Sequence, residues 1–124
     1  MKNLIAILLL CVTTQVFAQQ TLSETQKIDH LISFVRNLRG ATFIRNGSEH
    51  TPTAAADHLQ MKREKAGSRI TTANVFIEKI ASKSSMSDDL YMIRFANGKE
   101  FPCQMVMLNE LKKLEEGKVT LLSK

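Results

Sequence analysis

Apolar positions recur at helical spacing in the first segment after residue 22. Ile28, Leu31, Ile32, Val35 and Leu38 share one face, while Lys27, Asp29, Arg36 and Asn37 fall elsewhere. This pattern predicts an amphipathic helix from Ser23 to Arg39. Ser23 followed by Gln26 has the form of a capping box, and Gly40 can take the left-handed stop. The period fails from Ala41 to Thr51. Asn46-Gly47 marks a turn because both residues tolerate positive φ, and the segment reads as an irregular loop anchored by Phe43 and Ile44. Thr51 before Pro52 then opens a second helix, with proline at the first helical position, where its missing N–H costs nothing. It passes through Ala54, Ala55, Ala56, Leu59 and Lys62 to Ala66 and stops at Gly67; three consecutive alanines make it slim. A third helix, capped by Thr71, carries Ala73, Phe76, Ile77, Ile80 and Ala81 at i, i+3, i+4, i+7 and i+8. Ser82 to Asp89 reads as a polar, serine-rich loop.

The period then changes from helical to alternating. Tyr91, Ile93 and Phe95 alternate with Met92, Arg94 and Ala96, and a second short run follows Asn97-Gly98. A two-residue turn would set Phe95 against Glu100 and Arg94 against Phe101, mixing polar and apolar faces. A three-residue loop of Ala96, Asn97 and Gly98, with Gly98 left-handed, pairs Ile93 with Phe101 and Tyr91 with Cys103. That register keeps one face dry, and Pro102 makes the returning strand an edge. A last helix is expected from Met105 to Glu116, burying Leu108, Leu111 and Leu114 and stopping at Gly117. Lys118 to Lys124 forms a tail. The expected architecture is therefore a mainly helical α+β domain of about four helices, with one β-hairpin between the third and fourth.

The extreme N-terminus has a different pattern. Lys2 precedes a continuous apolar run from Leu4 to Val12, and Val16-Phe17-Ala18 offers the small and branched residues of a signal-peptidase cut. Nine apolar residues rise only about 13–14 Å as a helix against the ~30 Å hydrocarbon core, so no stable membrane anchor is expected after cleavage. The reading is a signal peptide over residues 1–18, a single globular domain over 19–124, and a periplasmic destination. Cleavage removes Cys11 and leaves Cys103 as the sole thiol, which cannot form an internal bridge. It is expected either to lie buried or to pair between chains.

Composition narrows the chemistry further. The chain has 124 residues and a formal net charge of +5, with 44% hydrophobic and 23% charged residues. This suits one globular domain, and nothing in it suggests a multi-span membrane protein. Two cysteines are too few for a disulfide scaffold or a four-thiolate zinc site. His30, His50 and His58 have no metal-ligand spacing, so no metal and no cofactor are expected. His30 reads as a surface or boundary residue. Glu110, Glu115 and Glu116 share a helix with Lys112 and Lys113 and read as a solvated face. A nucleophile elbow and a glycine-rich phosphate loop are both missing from the sequence.

Two clusters are left. Lys62, Arg63, Lys65 and Arg69 form a basic stretch, suited to an anionic envelope component rather than to nucleic acid, because exposed aromatic interleaving is missing. Phe43-Ile44-Arg45-Asn46-Gly47 places two strong hydrogen-bonding side chains beside a turn. The following helix presents His58 and Lys62 four residues apart, on one face. Arg45, Asn46, His58 and Lys62 are the candidate ligand-binding residues.

Together with Ala55-Ala56-x-His58-Leu59-x-x-Lys62, Thr72-Ala73-x-x-Phe76-Ile77, Ala81-Ser82-x-Ser84-Ser85, Tyr91-x-Ile93-Arg94 and Asn97-Gly98, this run resembles the YfeK-like family. These are small uncharacterised exported proteins of Gram-negative bacteria, a domain of unknown function. The resemblance spans about Lys27 to Leu114 and implies a periplasmic, one-domain helical fold without an assigned activity. The expected function is a non-catalytic periplasmic binding or interaction protein, its partner an envelope protein or an anionic ligand. The alternative is a small envelope hydrolase or transferase, with His58 as base and Arg45 stabilising developing negative charge.

Overall fold

The computed structural model describes residues 21–117, so the expected leader and the tail from Lys118 lie outside the described residues. Ser23 opens helix α1 (Glu24–Arg36) with a complete capping box: its hydroxyl accepts from the Gln26 N–H, and the Gln26 side chain accepts from the Ser23 N–H. The helix ends three residues before Arg39. Asn37 folds back there and donates from its side chain to the Ser33 carbonyl at 2.8 Å. Thr51 and Pro52 start helix α2 (Pro52–Ala66), and Gly67 closes it at a φ of 54°. A single 3₁₀ turn (Gly67–Arg69) leads on to α3 (Ala73–Phe76).

The cap of α3 is Thr72, not the expected Thr71: its hydroxyl accepts from the Val75 N–H at 3.1 Å. Glu24 reaches across from α1 to accept a further free donor, the Ala73 N–H, at 3.0 Å. The regular helix expected from the apolar spacing lasts only one turn. It widens into a π-helix (Ile77–Ala81), where Ser82 donates to the Ile77 carbonyl at 2.6 Å. The buried side chains Phe76, Ile77, Ile80 and Ala81 still point inward, so the core pattern survives the change in hydrogen bonding.

The single-hairpin expectation is corrected. Among the described residues the strands β1 (Thr42–Arg45), β2 (Ser48–His50), β3 (Met92–Arg94) and β4 (Glu100–Pro102) form one antiparallel sheet in the order β2-β1-β3-β4. The segment expected to be an irregular loop is itself a hairpin. Asn46 and Gly47 have φ of 51° and 76°, both positive, as a tight two-residue hairpin turn requires. The pairing that follows sets Arg45 against Ser48, Ile44 against Glu49 and Phe43 against His50. In the other hairpin Ile93 faces Phe101, and the Cys103 N–H donates to the Tyr91 carbonyl at 2.8 Å. Gly98, at a φ of 84°, donates to Phe95 in the three-residue loop.

Strand alternation now divides the sheet. Phe43, Arg45, His50, Tyr91, Ile93 and Cys103 fall on the face that meets the helices. Arg94 and its partners form the other face, with its guanidinium on Glu49 at 2.7 Å and on Glu100 at 2.9 Å. Helix α4 (Cys103–Glu115) begins directly after Pro102, two residues earlier than expected. Its buried face is Cys103, Met107, Glu110, Leu111 and Leu114, whereas Leu108 is exposed. Glu110 is therefore not part of a solvated face. Its carboxylate meets His30 Nε2 of α1 at 2.9 Å, with both side chains about nine-tenths buried. Phe76, Leu31, Ile77, Ile93, Met107 and Val35 form the driest part of the core.

Candidate functional site

The two-residue turn at Asn46-Gly47 decides what the sheet offers to α2. Because Phe43 is buried on the inner face, alternation brings Arg45 to the same face, and register adds His50 opposite Phe43. The second hairpin contributes Tyr91 and Cys103 by the same parity. Helix α2 lies over them with Ala55, His58 and Leu59, one turn apart. Together these residues line a cleft of about 30 Å³. That volume admits a water molecule or the tip of a larger group, far below the ~300–1,000 Å³ of a site that engulfs a small molecule.

Tyr91 organises the polar side of this cleft. Lys62 Nζ donates to its hydroxyl at 3.0 Å, and the same hydroxyl lies 3.3 Å from His58 Nε2. The hydroxyl thus lies between the Lys62 ammonium and the His58 imidazole and joins the two side chains. The pKa of His58 is held down to about 4, first by burial and then by the positive charges of Arg45 and Lys62. His58 is thus a neutral hydrogen-bonding group at physiological pH.

The four residues singled out from the sequence divide into three situations. Arg45 and His58 line the cleft together. Arg45 is half-buried and makes no hydrogen bond or ion pair among the described residues. Lys62 uses its ammonium internally, on the Ile80 carbonyl at 2.8 Å, the Lys83 carbonyl at 3.4 Å and Tyr91, with the Tyr91 ring centroid 4.9 Å away. Its charge thus holds the end of the π-helix. Asn46 occupies the turn and faces the serine loop, donating to Ser84 Oγ at 3.2 Å and accepting from Ser87 Oγ.

Two contributors escaped the sequence reading. Tyr91 was read only as an apolar strand residue, although its pairing with Cys103 already placed it on the inner face. His50 became a site residue only once the Asn46-Gly47 turn was extended into paired strands. Among the described residues its buried Nε2 has no hydrogen-bond partner, although the side chain lines the cleft. Cys103 also lines the cleft, but burial pushes its thiol up to about 12, so it is a protonated apolar wall rather than a nucleophile. Among the described residues no group of three or more His, Cys, Asp or Glu side chains could hold a metal, and no helix is long and apolar enough to cross a membrane.

Residues 22–115 match a family of unknown function, DUF5329. Over 92 residues the chain is 33% identical to the uncharacterized protein YfeK of Salmonella typhimurium (strain LT2), covering 73% of this chain and 77% of that protein. No solved structure gives a significant match.

Proposed function

The chain belongs to the DUF5329 family of unknown function, and from that premise we propose that it is a non-catalytic interaction module of the periplasm. It grips an anionic tip of a partner molecule through Arg45. The observation that carries this reading is the unpaired Arg45 guanidinium in a small, mostly apolar cleft, beside the orphaned Nε2 of His50. A half-buried guanidinium without a counter-charge favours a carboxylate or a similar planar anion, which it can meet with two parallel hydrogen bonds. Phe43, Ala55 and Leu59 supply apolar contact for the carbon that bears the anion. The small volume supports a protruding side chain or terminus of a partner over an engulfed metabolite.

Binding is supported over hydrolysis or group transfer by the state of the available groups. His58, with a pKa of about 4, is a weak base at neutral pH, and its Nε2 is engaged with Tyr91. The neighbouring thiol is held protonated by its burial. The periplasmic setting is supported by the charged start, apolar run and cleavage pattern of residues 1–18. The test is site-specific photo-crosslinking in intact cells from position 54, which is exposed on α2 next to the cleft residue Ala55. A discrete adduct is expected with Arg45 present and lost in Arg45→Glu, while thermal unfolding is unchanged. An adduct insensitive to the substitution overturns the role of Arg45.

A further inference from the structure

Farther along the same face of α2, toward its C-terminal end, lies a second and larger concavity, of about 440 Å³, within the range of small-molecule sites. It lies between the end of α2, the 3₁₀ turn and the α3–π segment. Lys62, Lys65, Arg69 and Lys79 stand around it, and among the described residues no acidic side chain lines it. Ile70 and Val75 contribute apolar surface to its walls. This is not the whole basic stretch of the sequence: Arg63 leaves the group to pair with Asp29 of α1, and Glu64 turns away to accept from Gln60 at 3.0 Å.

The cations that stay differ in how far they are occupied. Lys62 is saturated by its three acceptors and adds only field. Arg69 lies over the last carbonyls of α2, donating from Nε to Ala66 at 3.2 Å and from Nη2 to Lys65 at 3.5 Å, which leaves Nη1 free. Lys65 makes no side-chain hydrogen bond or ion pair among the described residues. Lys79 has only a loose contact with its exposed neighbour Glu78 at 3.8 Å. Two unsaturated ammonium groups and one guanidinium nitrogen thus border a cavity with apolar walls.

We infer that this cavity binds an amphiphilic phosphate, its head among Lys65, Arg69 and Lys79 and its apolar body against Ile70 and Val75. A phosphate monoester carries about −1.5 to −2 charges and three acceptor oxygens, which matches several separate donors better than a single carboxylate does. The apolar walls give no benefit to a bare anion, whereas a hydrocarbon body loses water-exposed surface there. This inference is independent of the Arg45 cleft.

Protein purified from cells expressing the full chain tests it by isothermal titration with three probes: dodecyl phosphate below its micelle concentration, inorganic phosphate and dodecyl maltoside. Dodecyl phosphate is expected to saturate one site and to bind roughly tenfold tighter than either control. The double substitution Lys65→Glu with Lys79→Glu alters two exposed side chains. It is expected to weaken that binding by roughly tenfold or more, with thermal unfolding unchanged. Arg45→Ala leaves the binding intact, which separates this site from the other cleft. Equal affinity for inorganic phosphate or for the maltoside overturns the inference, as does binding that survives the double substitution or disappears in Arg45→Ala. With the monomer bound, co-sedimentation with phosphatidic acid vesicles but not with phosphatidylcholine vesicles, lost in the double substitution, assigns the head to bilayer lipid. Absence of co-sedimentation assigns it to a soluble phosphate ester.

Discussion

At the scale of single residues, His58 shows how place overrides type. An exposed imidazole titrates near 6.5, but this one is held to about 4 by burial and by the neighbouring charges of Arg45 and Lys62. Because the folded pKa lies below the unfolded one, the unfolded chain takes up the proton first as pH falls. The stabilisation is fully present above about pH 6.5 and is lost as pH falls toward about 4. After allowance for solvent around a partly exposed ring, its size is roughly 1–2 kcal/mol. Urea unfolding at about pH 7.5 and about pH 4.5 is expected to show a smaller loss of stability in His58→Gln than in the parent. Equal losses in the two proteins would place the depressed proton affinity elsewhere. Lys62 teaches a related lesson. Its four-residue spacing from His58 was legible in the sequence, but its three internal acceptors were not, because they come from residues 80, 83 and 91.

At the scale of elements, local chemistry set the ends of α2 and misjudged others. Thr51, Pro52 and Gly67 each act within one turn of the residues they cap, so their meaning is readable without the rest of the chain. Thr51→Ala removes the acceptor of the Ala54 N–H and is expected to cost about 1 kcal/mol in chemical denaturation, with Thr51→Ser close to neutral. The hairpin of β1 and β2 was legible only at its turn. Ser48-Glu49-His50 has no apolar member, and as an edge strand its backbone pairs only with β1, while Glu49 reaches Arg94 of β3. Such a strand carries almost no pattern of its own. The hairpin of β3 and β4 has a burial alternation, and its loop length followed from keeping Ile93 and Phe101 on one side. The π-helix has no comparable mark. The same apolar spacing fits both hydrogen-bonding schemes, and the wider one is joined by Ser82 and Lys62 at the Ile77 and Ile80 carbonyls.

At the scale of the whole molecule, the first and last described helices are tied together. His30 and Glu110 meet across 80 residues of chain, and Lys27 reaches Glu115 at 3.4 Å nearby. Glu110→Ala leaves the His30 ring nitrogen partly buried without its acceptor and is expected to cost about 1–3 kcal/mol in thermal or urea unfolding. Glu110→Gln, which retains an acceptor, is expected to cost less; an equal loss in both would point to the charge rather than the hydrogen bond. On sequence alone Glu110 belonged with lysines on a wet face, since helical spacing shows which residues share a side but not which neighbour that side meets. The sequence by itself determined the helix-forming stretches, the α2 caps, both asparagine-glycine turns and the register of the second hairpin. Each of these depends on contacts within a few residues or on the parity of a short strand. Only the tertiary structure decided that the first turn joins paired strands, that Tyr91 bridges His58 and Lys62, and that Glu110 is buried. Those outcomes depend on side chains far apart in the chain, brought together when the sheet and the helices bury their apolar faces against each other.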